Sequence, residues 1–340
     1  MLADLGSITD VSGIRVGHHQ RRGRGWRSGT TVILAPEGAT AGVDVRGGGP
    51  GTRETDALAP WNLVDRINAV CLTGGSAFGL AAADGVMTHL ASKHLGFRVG
   101  PEPRHVVPVV PTAVIFDLGR GGSFDSRPDA EFGRRAAASA TSSERRRGSV
   151  GAGTGAIAGG LRGGIGMASA TVLLPDQDGS TTAVTVGALC VVNARGSLID
   201  PETSLPYLRT RGLRRPTASD RQALADLLST VTAPSFNTTL AVVATDAQLG
   251  RAETTRLAMS GHDGLSRAIR PVHTLADGDT VFSMSTGAIN IDCSDRVARL
   301  SAIQAAAADC VGMACVDAIL SATPVQNSPT YLSLCPSAVQ

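Results

Sequence analysis

Aromatic rings are scarce in this chain, with two Trp, two Tyr and seven Phe in 340 residues. Nucleic-acid bases would find few faces to stack on, and a net charge of +2 supplies no field that would draw a polyanion. Nucleic acid is therefore not an expected partner. Cysteine is sparse as well. Cys71, Cys190, Cys293, Cys310, Cys315 and Cys335 are widely spaced, form no C-x-x-C pair and lie mostly in apolar stretches, so they read as buried free thiols. No His-x-x-x-His or comparable metal set occurs; His18, His19 and His262 read as surface or structural residues, and neither a metal nor an organic cofactor is expected. A P-loop is missing too. Met1–Asp10 carries two acidic groups and no basic start, and no run of about 18 uncharged apolar residues follows. These absences point to a cytoplasmic protein without a membrane partner.

What is present is a chain that is 42% hydrophobic and 18% charged, with 41 glycines, the composition of a globular protein with many tight turns. Large layered α/β folds reach this length around one continuous core, so the chain reads as a single unit. Apolar runs at Thr31–Leu34, Ala69–Leu72, Val106–Val110, Ala113–Phe116, Ala183–Val192 and Leu240–Ala244 predict strands bounded by glycine or proline. Helical spacing occurs at Gly79–His94, Glu131–Ser143, Ser219–Leu228, Gln248–His262 and Asp295–Leu320. Their interleaving predicts α/β or α+β layers. Residues 201–236, with Arg209, Arg211, Arg214 and Arg215 among several prolines, read as an exposed, mobile connector, and residues 324–340 as an irregular tail.

The most informative segment is Asn237-Thr238-Thr239-Leu240, where a loop meets an apolar strand that begins with two hydroxyl residues. If the Asn237–Thr238 peptide is held strained, the Thr238 hydroxyl can attack the Asn237 carbonyl. Hydrolysis of the resulting ester then leaves Thr238 with a free α-amine. That amine has an ordinary pKa of about 7.7–8.0 and can act as base for its own hydroxyl, with no histidine required. Taken alone, two threonines more often simply start a strand.

Longer strings narrow the choice. Val43–Asp56 (with Arg46-Gly47-Gly48-Gly49-Pro50-Gly51), Leu72–Leu80 (with Thr73-Gly74-Gly75-Ser76) and Val150–Ala156 resemble the DmpA-type aminopeptidases. That family includes β-aminopeptidases and endo-type nylon-oligomer hydrolases. The similarity continues through Asn237–Leu240, Ala258–Ile269 and Asp277–Phe282, so it spans about residues 10 to 290. The resemblance implies a four-layer αββα sandwich of the N-terminal-nucleophile type, also seen in ornithine acetyltransferases. It implies one chain that cleaves itself into residues 1–237 and 238–340, assembled as a homo-oligomer, with a tetramer favoured. The implied substrate is a small amide or peptide with a free amino terminus.

Residue by residue, the resemblance places Thr238 on the nucleophile and Asn193 on an asparagine that donates to the developing oxyanion. Without it, Asn193 reads as an asparagine ending a strand at a turn. Asp277 and Asp279 fall on a polar pair that contacts the nucleophile's hydroxyl and amine. Their i, i+2 spacing suits one face of an extended segment; by themselves they better describe a solvated Asp-Gly-Asp turn. Gly74 and Gly75 are candidates for oxyanion N–H donors, and Gly47–Gly49 for close backbone approach. Two departures stand out. Arg162 replaces an active-site lysine of the nylon-oligomer branch and, with a pKa above about 12, cannot shuttle protons. Phe116 stands where some members have tyrosine.

Three rival readings remain. Ser76, between a strand and a helix, imitates a nucleophile elbow but has Phe78 where a second glycine belongs. An acyl-Thr238 ester could pass to an amine instead of water, which would make the chain an acyltransferase. A homologue that has lost self-cleavage would be a binding or scaffold protein.

Overall fold

The computed structural model describes residues 5–229, 236–292, 295–325 and 328–339. The strands of its main sheets are β1 (Arg15–Gly23), β2 (Trp26–Val45), β3 (Thr52–Arg53), β4 (Ile67–Thr73), β5 (Thr112–Val114), β6 (Gly164–Pro175), β7 (Thr181–Asn193), β8 (Thr238–Ala247) and β9 (Thr280–Ile289). The helices that pack on them are α1 (Ala82–Ala91), α2 (Ala130–Ala138), α3 (Ala218–Ser229), α4 (Arg251–Ala268) and α5 (Arg296–Leu320).

Strand β2 decides the architecture. Its regular pairing with β4 breaks between Leu34 and Ala39, across a segment containing Pro36, which has no N–H for a ladder. Before the break, β2 joins β1 and β4; after it, β2 pairs with β9. One strand thus belongs to two sheets. The first holds β1, β2, β4, β5 and β3, and the second runs β6-β7-β8-β9-β2.

Period-two alternation then builds the layers. In β8, Leu240, Val242 and Ala244 face the other sheet and pack with Ile33, Leu72, Val191 and Phe282. Ala241 and Val243 face outward and pack beneath α4 and α5 with Leu257, Val311 and Cys315. On the first sheet, Val32, Leu34, Ala69 and Cys71 face Val86, Leu90 and Ala136 of α1 and α2. The result is the expected αββα sandwich. Burying each such Val or Leu contributes about 1.5–3 kcal/mol.

Strand β6 is absent from the sequence-based expectation. Its Gly-Ile-Gly-Met-Ala start has low strand propensity because α5 crosses it closely: a Cβ on Gly166 would stand 1.9 Å from the Ala314 carbonyl oxygen. Helix α5 is long and apolar enough to cross a membrane, yet two-thirds of its apolar window is buried inside the sandwich.

Two further expectations need correction. The supposed connector is built into the fold as far as residue 229: α3 inserts Leu224 into the core, and Ser204 is buried. Residues 230–235 lie outside the described residues. The supposed tail is docked, with Tyr331, Cys335 and Ala338 buried in the same core and the Tyr331 hydroxyl donating to the Ser204 carbonyl at 2.9 Å. Apolar side chains on α3 and the terminal turn outweigh the irregular composition around them. Five cysteines are buried free thiols; Cys293 lies outside the described residues. His262 is wholly buried, so its structural reading holds and its surface reading fails.

Candidate active site

The parallel pairing of β8 with β9 starts both strands at one end of the sheet, and this brings the sequence candidates together. Thr238 opens β8 directly opposite Asn193, the last residue of antiparallel β7. Alternation turns Thr238 inward, as it turns Leu240 and Val242. The turn Asp277-Gly278-Asp279 immediately precedes β9, and Asn237 bridges to Asp277. Asn237 and Thr238 are both buried, yet both line a cavity of about 300 Å³ together with Pro50, Ser76, Phe116 and Phe236.

The Thr238 hydroxyl donates to the Asn237 carbonyl oxygen. From the other side, the Gly278 N–H lies 3.1 Å from that oxygen and 3.2 Å from Thr238 Oγ1. Every other polar group of Asn237 is also held. Its N–H donates to Ala276 O at 3.0 Å, its Nδ2 donates to Ile157 O at 3.1 Å, and its Oδ1 accepts from Arg120 Nη2 at 3.3 Å.

The two aspartates are buried, and neither bonds the Thr238 hydroxyl, the contact that the resemblance implies. Asp277 accepts from Arg195 N at 3.1 Å, Thr274 N at 3.2 Å and Thr274 Oγ1 at 2.5 Å. Asp279 accepts from Thr239 N at 2.7 Å, and its other oxygen accepts from His273 N at 3.0 Å and pairs with His273 Nδ1 at 2.8 Å. Together they clamp the ends of the turn whose middle residue, Gly278, faces the Asn237 carbonyl. On its far side the turn is tied to the glycine run after β2: Gly49 N donates to Asp277 O at 2.8 Å and Gly47 N to Asp279 O at 3.2 Å. The close backbone approach expected of Gly47–Gly49 is thus present.

Asn193 makes a different set of bonds from an oxyanion donor's. Its Oδ1 accepts from Ile157 N at 3.0 Å and Arg120 Nη1 at 2.7 Å, while its Nδ2 donates to Phe116 O at 3.2 Å. Gly74 and Gly75 also differ from expectation, because their N–H groups are already engaged. Gly74 N donates to Gly29 O at 2.9 Å and Gly75 N to Asp117 Oδ1 at 2.7 Å. Arg162 lines a separate cavity, donating to Ser149 Oγ at 3.2 Å and Thr154 O at 2.5 Å. Ser76 does line the Thr238 cavity, with its backbone in the left-handed region at φ 51°.

A scan against protein-family models matches residues 6–330 to peptidase family S58. The chain belongs to that family. An aminopeptidase of Mycobacterium tuberculosis, described as uncharacterized, is 48% identical over 98% of this chain and 99% of its own length. A 6-aminohexanoate-oligomer endohydrolase of Kocuria sp. is 33% identical over 83% of this chain and 75% of its own length. Among solved structures, a Burkholderia sp. β-aminopeptidase superposes with TM-score 0.71 at 24% identity, covering 99% of this chain and 94% of that one. The L-aminopeptidase D-Ala-esterase/amidase of Ochrobactrum anthropi, described as a variant of the Ntn-hydrolase fold, gives 0.69 at 22% identity over 97% and 91%. At these identities the two structures speak to the fold alone. Family S58 membership makes this chain a peptide or amide hydrolase, and the αββα sandwich is its Ntn-type scaffold.

Two side chains of this S58 site escaped the sequence reading. Arg120 reaches Asn193, Asn237 and, at 2.6 Å, the Phe236 carbonyl, so one guanidinium ties β7 to the residues before Thr238. Its setting, Gly119-Arg120-Gly121-Gly122, looks like a solvated turn, and only the fold supplies its partners. His273 is the second. Besides holding Asp279 it packs edge-on against His262, ring centroids 4.8 Å apart, and burial pushes the His262 pKa down to about 4.

Proposed function

We propose that this S58 hydrolase is made as a precursor that cuts its own Asn237–Thr238 bond and then hydrolyses small amides or peptides through Thr238 as an N-terminal nucleophile. The observation that carries this reading is the convergence of the Thr238 hydroxyl and the Gly278 N–H on the Asn237 carbonyl at the wall of a cavity. Attack of Oγ1 on the Asn237 carbonyl carbon puts negative charge on an oxygen that already faces a fixed N–H. Collapse breaks the C–N bond, the hydroxyl proton passes to the departing nitrogen, and an ester joins Asn237 to Thr238. Water cleaves the ester, leaving an Asn237 carboxylate and a free Thr238 amine.

In the mature enzyme the roles repeat on a substrate. The amine takes the hydroxyl proton as Oγ1 attacks the amide carbon, then gives it to the leaving amine, and water hydrolyses the acyl-Thr238 ester. Gly278 N–H is the oxyanion donor, the two aspartates hold its turn, and Asn193 and Arg120 position the β7 side of the site. The cavity is lined by Pro50, Val114, Phe116 and Phe236, and no Asp or Glu is among its described lining residues. An apolar acyl group suits it, and a substrate ammonium would be met by carbonyl oxygens or by the new Asn237 carboxylate.

The test is intact mass spectrometry of the purified protein beside Thr238→Ala. A wild-type fragment beginning Thr-Thr-Leu-Ala, absent from the variant together with amidase activity, is the expected result. A correctly folded Thr238→Ala protein that retains full activity would remove Thr238 from the mechanism. Product analysis with added amines separates hydrolysis from acyl transfer.

A further inference from the structure

A second cavity, of about 210 Å³, shares no lining residue with the Thr238 cavity. Arg22, Arg27 and Arg162 wall it, and no Asp or Glu is among its described lining residues. Arg162 is 1% exposed, and among the described residues its Nε and Nη1 find no hydrogen-bond partner. Burial, then the fields of Arg27 and Arg22, push its pKa down to about 10. The carboxyl that opposes them is Asp117, yet burial holds Asp117 up to about 6.

Three guanidinium groups around one cavity, one of them buried with idle donors, form an arrangement that an anion completes. Guanidinium forks match planar carboxylates with paired N–H···O bonds. The remaining wall favours an organic anion over a bare inorganic one, because Val325, Thr323 and Trp26 border the same space. The Trp26 ring is fixed there, stacked on Phe132 at 5.3 Å and covered by Arg21 at 4.0 Å. Arg27 also donates to the Arg120 carbonyl at 3.3 Å, so the cavity adjoins the loop that braces the scissile residue.

We propose that this cavity binds a small organic carboxylate, its carboxyl held by Arg162, Arg27 and Arg22 and its short hydrocarbon body against Val325 and Trp26. The experiment is isothermal titration calorimetry of the full-length protein at constant ionic strength, with sodium butyrate, sodium phosphate and sodium chloride as probes. Wild type, Thr238→Ala, Arg22→Gln and Arg162→Gln are compared. Saturable butyrate binding at one site is expected in wild type and Thr238→Ala, weakened about tenfold or more in both arginine variants. Arg22 is exposed, so Arg22→Gln tests the site even if Arg162→Gln fails to fold. The proposal is overturned if butyrate does not saturate the wild type, if Arg22→Gln binds it equally well, or if phosphate alone binds. Loss of binding in Thr238→Ala but not in Arg22→Gln would place the ligand in the Thr238 cavity and would equally refute it.

Discussion

The Gly278 N–H meets the Asn237 carbonyl oxygen at 3.1 Å, in a turn held at each end by a buried aspartate. A backbone donor clamped in this way does not reorganise when charge develops on the oxygen it faces. This is what makes preorganised donors worth more than freely solvated ones. The aspartates act at one remove, by fixing the donor.

Gly278→Ala probes this directly. A Cβ there would stand 2.8 Å from Thr238 Oγ1 and 2.7 Å from the Gly49 carbonyl, so either the turn or the Thr238 side chain must shift. Self-cleavage should slow by about 10²–10³-fold, the usual effect of losing one such donor. A time course of fragment appearance from freshly translated precursor measures it. Maturation at the wild-type rate would show that Gly278 is not the donor.

Arg120→Lys separates charge from geometry. The guanidinium uses Nη1 for Asn193 and Nη2 for the Phe236 carbonyl, two acceptors on different segments that a single ammonium does not span. A fall of about 10–100-fold in kcat/KM is expected, equivalent to about 1.4–2.7 kcal/mol of transition-state stabilisation, with little change in thermal midpoint. Equal activity in the lysine variant would reduce Arg120 to a source of charge.

Strand β8 was legible in the sequence because Leu240–Ala244 is an unbroken apolar run, whereas Asn193 was singled out by the family resemblance and not by its place at the end of a comparable run. Asp277 and Asp279 were singled out by the resemblance, with which their spacing agrees, but their targets were not legible, since a carboxylate's choice between a hydroxyl and a neighbouring N–H depends on where β8 lies beside β9. Gly74 and Gly75 were misread for a similar reason. Their acceptors, Gly29 O and Asp117, are remote in sequence. Strand β6 was hidden by the glycine that α5 requires. Arg120 was hidden by a glycine-rich setting that marks a turn and says nothing of what the turn faces.

The docked C-terminal segment gives a stability prediction independent of the chemistry. Tyr331→Phe removes one buried hydrogen bond to Ser204 O and should cost about 1 kcal/mol. Tyr331→Ala empties a fully buried aromatic site and should cost about 3–5 kcal/mol. Denaturant midpoints measure both, and identical midpoints for all three proteins would mean that the segment contributes nothing to the core.

Asp117 supplies a pH dependence whose sign is fixed by its burial. Desolvation raises its pKa from 3.8 to about 6, against the opposing bond from Gly75 N–H. Between those values the folded protein holds a proton that the unfolded chain has released, so stability is lost as pH rises through this window. A shift of this size corresponds to about 3 kcal/mol once both states are ionised. Asp117→Asn keeps an acceptor for Gly75 and does not ionise. The variant should match the wild type near pH 4 and exceed it in stability by pH 7, as read by denaturant unfolding at both values. A wild-type-minus-variant difference that stays constant from pH 4 to 7 would show that Asp117 is ionised in the fold at every pH tested.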